Sequence, residues 1–188
     1  MDLMQAITER RSIRKYKPDK ISDADLNKIL EAARHAPSWA NSQSWRFVVV
    51  TDPSIKEKLS RTVLSRMPGK ENGAAPAIRN APVVIVACAE LKKSGYYGDI
   101  PSTDKGDWCM FDVALAMQNL TLAACALGLG TVHVGLFEAK KVAAIINVPE
   151  GYAAIELMPV GYPDEKPEPR PRKALEEIVY HEKFGKKK

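Results

Sequence analysis

Arginine is crowded at two places far apart in the chain. Arg10-Arg11-Ser12-Ile13-Arg14-Lys15 follows a first helical segment, and Arg170-Pro171-Arg172-Lys173 lies near the end. Guanidinium forks match phosphate oxygens two at a time, and a serine hydroxyl adds a neutral donor. The first group serves equally well as a solvated basic turn at a helix C-terminus. The second reads as a solvated linker, or as a grip stiffened by Pro167, Pro169 and Pro171, which lower the entropy lost on holding a ligand. Two such groups in one chain of 188 residues point to a single dianionic phosphate more strongly than either does separately.

A third cluster runs from Ala36 to Arg46 and carries Ser38, Trp39, Asn41, Ser42, Gln43, Ser44 and Trp45. Amides and hydroxyls of this kind can read the polar edge of a heteroaromatic ring while aromatic surface packs on its face. They can also simply satisfy a turn, with Trp45 in the core. Other chemistry lacks its residues. Gly128-Leu129-Gly130 has His133 at the position of the third fingerprint glycine, and it follows a helix instead of a strand. His35, His133 and His181 are too scattered for a metal site. No nucleophile, base and orienting acid assemble from the sequence. So few acids and bases imply reactivity borrowed from a cofactor.

Composition is that of an ordinary globular chain, 45% apolar and 27% charged. The net charge of +5 would suit a nucleic-acid partner, but Lys183 and Lys186-Lys187-Lys188 supply much of the excess as a basic tail, and no nucleic acid is expected. Cys88, Cys109 and Cys125 are far apart and make no C-x-x-C, which suits a reducing cytoplasm. The first residues lack the basic flank and apolar core of a secretory signal, and no stretch reads as a membrane span.

The elements that must position these groups follow from periodicity. Helices are expected over 2–10 with Leu3, Ala6 and Ile7 inward, from a Ser22 cap to the residues before Pro37, and from Asp52-Pro53 with Ile55, Leu59 and Val63 inward. The longest covers 107–126, with Trp108, Phe111, Leu115, Gln118 and Leu122 at three- and four-residue steps, and is placed at the centre of the core. A helix over 138–146 and a short one near Leu175 complete the set. Strands are expected over 45–50, 83–89, 131–134 and 153–160, and irregular chain over 67–75 and 92–105. The expectation is an α+β sandwich about one mixed sheet in a single domain, 1–188, with an extended C-terminal segment from about 162.

The ordered set of motifs resembles the nitroreductase family. Arg-Arg-Ser-Ile-Arg at 10–14 is followed by Pro-Ser-x-x-Asn-x-Gln-x-Trp-Arg-Phe from Pro37 and Ala-Met-Gln-Asn-Leu-x-Leu-Ala-Ala from Ala116. Gly-Leu-Gly-Thr, Pro-Val-Gly-Tyr-Pro and Arg-Pro-Arg-Lys then come in order, so the resemblance runs from Met4 to about Tyr180. It implies an α/β/α sandwich with a mixed, mainly antiparallel sheet around a central helix, a homodimer, and FMN. Arg10, Arg11, Ser12 and Arg14 would hold the FMN phosphate, ribityl chain and ring edge, and Arg170 and Arg172 the phosphate. Pro37, Ser38, Trp39 and Asn41 would reach the flavin from the other subunit. Val134, Gly135 and Leu136 would bring backbone to the redox-active edge of the ring, where a glycine permits close approach. NADH or NADPH would supply hydride, and an electron-poor acceptor such as a nitroaromatic or a quinone would take the electrons. A flavin carrier or sensor would share these residues, as would a reductive dehalogenase or a flavin-fragmenting enzyme. Two features depart from the family pattern: Ser44 stands where proline is usual, and residues 73–76 do not match the family's Asn and Lys ring contacts. His133 either faces the substrate or packs in its strand.

Overall fold

The computed structural model covers residues 1–188. In chain order its elements are α1 (Leu3–Glu9), α2 (Asp23–Arg34), β1 (Trp45–Val50), α3 (Pro53–Ser60), α4 (Ala74–Asn80), β2 (Val83–Glu90), a small hairpin of β3 (Tyr96–Tyr97) and β4 (Ile100–Pro101), α5 (Cys109–Ala126), β5 (Gly130–Thr131), α6 (Ala139–Ile145), β6 (Tyr152–Gly161) and α7 (Leu175–Ile178). The main sheet has the order β1-β2-β6-β5 with every ladder antiparallel. A parallel component enters only through a bridge between Ser12 and Thr131 at its edge.

β2 shows why helices must cover both faces. Val83, Ile85, Ala87 and Ala89 enter one cluster with Ile29 and Ala33 of α2 and Val113, Met117 and Leu120 of α5. Val84, Val86 and Cys88 enter a second with Leu59 of α3, Ile78 of α4 and Val142 of α6. Two helix starts follow the sequence closely. Ser22 Oγ accepts from the Asp25 amide at 3.0 Å. Asp52 Oδ1 accepts from the Ser54 and Ile55 amides with Pro53 at the first helical position. Each such cap contributes about 0.5–2 kcal/mol.

The structure corrects several expectations. α4 occupies a stretch where no helix is expected; Pro76 lies in its first turn, where no intrahelical donor is lost. The strand expected over 131–134 is only β5, after which Val134 makes a single bridge to Leu157. The 92–105 loop contains the β3–β4 hairpin. On α5 the buried face is Val113, Ala116, Met117, Leu120 and Ala124, while Phe111 and Gln118 of the expected stripe are exposed. A helix apolar on both sides gives periodicity no basis for choosing a face. On α1 only Ala6 is buried, against α5, and Leu3 and Ile7 are exposed. Finally, α5 is, at 18 residues and mean hydropathy 1.4, long and apolar enough to cross a membrane, contrary to the expectation of no such stretch. Here that helix packs on the sheet as the core of the first cluster.

Gly130 sits where β5 meets the arginine-bearing segment. A Cβ there would lie 2.7–2.9 Å from three carbons of Ile13. Gly130→Ala is therefore expected to cost about 1–3 kcal/mol of stability through overpacking, read as a lower denaturant midpoint at an unchanged slope. An unchanged midpoint would show that this close approach is not constrained.

Candidate functional site

The two arginine groups are brought together by main-chain pairing across the length of the chain. Ile13 N donates to Thr131 O, Lys17 N to Tyr162 O and Asp164 N to Lys15 O, each at 2.9 Å. Glu165 Oε1 accepts from the amides of Arg14 and Lys15 at 2.5 and 3.2 Å. Tyr16 anchors this strip from below, its hydroxyl donating to Ile13 O at 2.5 Å, with Pro159 O at 3.2 Å. Burial first, and Glu165 second, push the Tyr16 hydroxyl far above its usual range, so it is a neutral structural donor.

The result is a cavity of about 840 Å³ in which Arg10, Arg11, Ser12 and Arg14 face Arg170 and Arg172, with Glu168 as the one acid. Arg11 Nη1 donates to the Thr8 and Arg10 carbonyls at 2.8 and 2.9 Å, so this residue also caps α1. Arg10, Arg14, Arg170 and Arg172 form no ion pair. Uncompensated guanidinium groups converging on one space are the arrangement that a phosphate dianion fills.

Arg14 also lines a second cavity of about 790 Å³ that holds Val134, Gly135 and Leu136. Gly135 is informative because nothing in the chain itself requires it. Its φ lies outside the left-handed region, and a Cβ there would meet nothing within 4 Å. The space in front of it is left open, as a ligand brought close to backbone needs. The cavity is completed by Arg66, Lys70 and Asn72, which the sequence reading missed by looking to residues 73–76 instead. Asn72 is tied in place: its Nδ2 donates to Leu64 O at 2.8 Å, and its Oδ1 accepts from Ala74 N at 2.9 Å. The usable signal is Lys70-Glu71-Asn72, three polar residues just ahead of Gly73.

Pro37, Ser38, Trp39 and Asn41 line neither cavity, so a single chain does not bring this loop to the arginines. The loop is nevertheless tightly built, a 3₁₀ turn over Trp39–Asn41 with Ala40, Asn41 and Gln43 at positive φ. His133 borders the second cavity, but both ring nitrogens are engaged, Nδ1 with Glu156 Oε1 at 2.6 Å and Nε2 with Thr121 Oγ1 at 3.1 Å. His133 thus follows neither alternative cleanly: it lies beyond β5 and borders the cavity, with its ring held by Glu156 and Thr121.

Residues 7–162 match the family model described as the Nitroreductase family. The chain belongs to this family. It is an oxidoreductase, with the family's fold. A protein of Archaeoglobus fulgidus named for NADH dehydrogenase and NAD(P)H nitroreductase activity is 35% identical over 170 residues, 88% of each chain. The FMN reductase [NAD(P)H] of Bacillus subtilis is 26% identical over 198 residues, 97% of this chain and 74% of that one. The NADPH:FMN oxidoreductase of Vibrio harveyi, solved with NAD⁺, superposes with a TM-score of 0.80 at 25% identity, over 98% of this chain and 78% of that one.

Thiol chemistry has no place at this site. Burial pushes Cys88 up to about 11, and burial reinforced by Asp107 pushes Cys109 up to about 12. Both folded values lie above the ordinary thiol value of 9.0, so this contribution to stability is complete below that pH and is lost as the pH rises towards the folded values. In native protein at pH 8, a thiol reagent is expected to modify half-buried Cys125 roughly tenfold or more faster than Cys88 and Cys109. Mass mapping of the adducts checks the order, and equal rates would contradict the burial argument.

Proposed function

We propose that this chain is an FMN-dependent oxidoreductase that takes hydride from NADH or NADPH and reduces an electron-poor acceptor such as a nitroaromatic or a quinone. The observation that carries the reading is Arg14, which lines both the arginine cavity and the cavity in front of Gly135. One ligand with a phosphate at one end and a flat ring at the other fits that pair. FMN, when bound, supplies the two-electron exchange between hydride donor and acceptor.

The chain's own residues then have separable tasks. Arg10, Arg14, Arg170 and Arg172 supply charge-assisted donors to the phosphate, and Ser12 a neutral one. The backbone of Val134, Gly135 and Leu136 borders the reacting edge of the ring, with the N–H groups of Gly135 and Leu136 to offer, while Val134 N is spent on Leu157 O at 3.0 Å and fixes the segment. Arg66 and Lys70 give the ring cavity a positive rim, since Glu71 beside them is paired with Arg79. Nothing else around Gly135 specifies a particular acceptor, in keeping with an open slot over a ring.

A homodimer completes the proposal. Leu3, Met4 and Ile7 on α1, Met110 and Phe111 on α5, and Leu175, Ile178 and Phe184 in the C-terminal segment are all exposed. Obligate interfaces consist of such surface, and a partner would bring Pro37, Ser38, Trp39 and Asn41 to the flavin. The proposed protein is one domain over 1–188, acting in the cytoplasm, where its three free thiols would stay reduced.

Two measurements test this reading. A charge-assisted hydrogen bond contributes about 1.5–3 kcal/mol, so Arg14→Ala or Arg172→Ala is expected to weaken FMN binding roughly ten- to hundredfold with little change in melting temperature. Full flavin occupancy of both variants after dialysis would refute the phosphate assignment. Shared sites are tested by refolding Arg14→Glu/Arg172→Glu chains together with chains whose residues 37–41 are all glycine. Random pairing should restore about a quarter of all sites, because each mixed dimer unites intact arginines with an intact loop. No recovery in demonstrated mixed dimers would mean that each chain builds its site alone.

A further inference from the structure

Asp112 is a fully buried carboxylate on α5 with no cation beside it. Its acceptor capacity is spent on one segment. Oδ1 accepts from the Trp39 amide at 3.0 Å, and Oδ2 accepts from the Ser42 hydroxyl at 2.9 Å and the Ser44 hydroxyl at 3.3 Å. A negative charge in the first turn of an 18-residue helix is also favoured by the helix dipole. Burying a carboxylate without a counter-charge is costly unless its lone pairs are taken up, so the contacts fix the loop as firmly as the loop satisfies the acid.

What the acid ties to the core is a strained backbone. Ala40, Asn41 and Gln43 have φ of 44°, 56° and 47°, a region that residues with side chains rarely occupy, and alanine gains no local hydrogen bond there. Four internal bonds support the turn: Asn41 N to Ser38 O at 3.1 Å, Ser42 N to Trp39 O at 2.8 Å, Gln43 N to Ser38 Oγ at 3.0 Å and Gln43 Nε2 to Asn41 Oδ1 at 3.3 Å. The Ser44 hydroxyl ties the C-terminal end of the loop to Asp112. Outside the turn, the Trp39 ring meets the Tyr97 ring edge-on at 5.7 Å.

We propose that Asp112 is a positioning residue that acts in trans: through Trp39, Ser42 and Ser44 it holds the strained 38–44 loop in the form that completes the partner subunit's flavin site. The inference rests on the homodimer proposed above. Hydrogen-bond capacity separates two variants. In Asp112→Asn the amide oxygen still accepts from Trp39 N, and the amide nitrogen donates to Ser42 and Ser44, whose hydroxyls turn to accept. Asp112→Leu keeps the branched outline at larger bulk and offers no acceptor.

The test uses FMN affinity by fluorescence titration of the apo-dimer and hydrogen exchange at the Trp39 amide. Asp112→Leu is expected to weaken FMN binding roughly tenfold or more and to release the Trp39 amide, while Asp112→Asn stays within about threefold of the parent. Should Asp112→Leu not fold, Ser42→Ala/Ser44→Ala removes two of the three donors and leaves the helix intact, with the same direction of effect. The deciding arm refolds the impaired variant with Arg14→Glu/Arg172→Glu chains and counts FMN bound. Recovery of about a quarter of sites at parental affinity supports action in trans. No recovery, while the 37–41 glycine variant does recover in the same partner, overturns the proposal and leaves the shared site standing. If neither recovers, the shared site fails and the proposal with it.

Discussion

The strip of backbone from Ser12 to Lys17, pinned between the sheet edge and residues 162–165, is the constraint on which the rest of the site depends. Without it the two arginine groups are more than 150 residues apart in sequence and belong to a helix end and a proline-rich tail. With it they face each other across one cavity. The strip is itself positioned by crowding: Gly130 admits Ile13, and Gly161 lies where a Cβ would meet Pro82 at 2.6 Å and Tyr16 at 3.0 Å. Close packing of a small-residue edge thus becomes the placement of four unpaired guanidinium groups.

That arrangement divides the labour of the fold. The two apolar clusters on either face of β2 and β6 supply the stability, and neither contributes an acid, base or nucleophile to the site. The groups that would touch a ligand come from segments laid on the edge of the sheet, where backbone can be approached. The one buried acid, Asp112, belongs to the core by location and to the 38–44 loop by its contacts. It joins the stable part of the molecule to its most strained part.

What the sequence made legible follows the same division. The arginines were readable because residue type alone limits what such clusters do, and the elements with clean caps or β-branched runs fell close to their expected places. Three features were not readable, each for a physical reason. The buried face of α5 is hidden because both of its faces are apolar. α4 is hidden because it is only seven residues long and starts at Gly73, with no side-chain cap to mark it. Lys70 and Asn72 sit in an irregular exposed stretch with no period to mark which side chains share a cavity. Asp112 was passed over as a single acid in an apolar run, although a lone charge in the first turn of an otherwise uncharged helix is a usable signal.

In the proposed complex a phosphate anchors the ligand and the rest of it extends past Arg14 to Gly135. The most direct measurement is a comparison of FMN and riboflavin binding to the apo-protein by equilibrium titration, since the two ligands share the ring and differ in the phosphate. One FMN per chain is expected, with riboflavin weaker by roughly a hundredfold or more and the difference shrinking as salt screens the arginines. Equal affinities for the two, independent of salt, would contradict it.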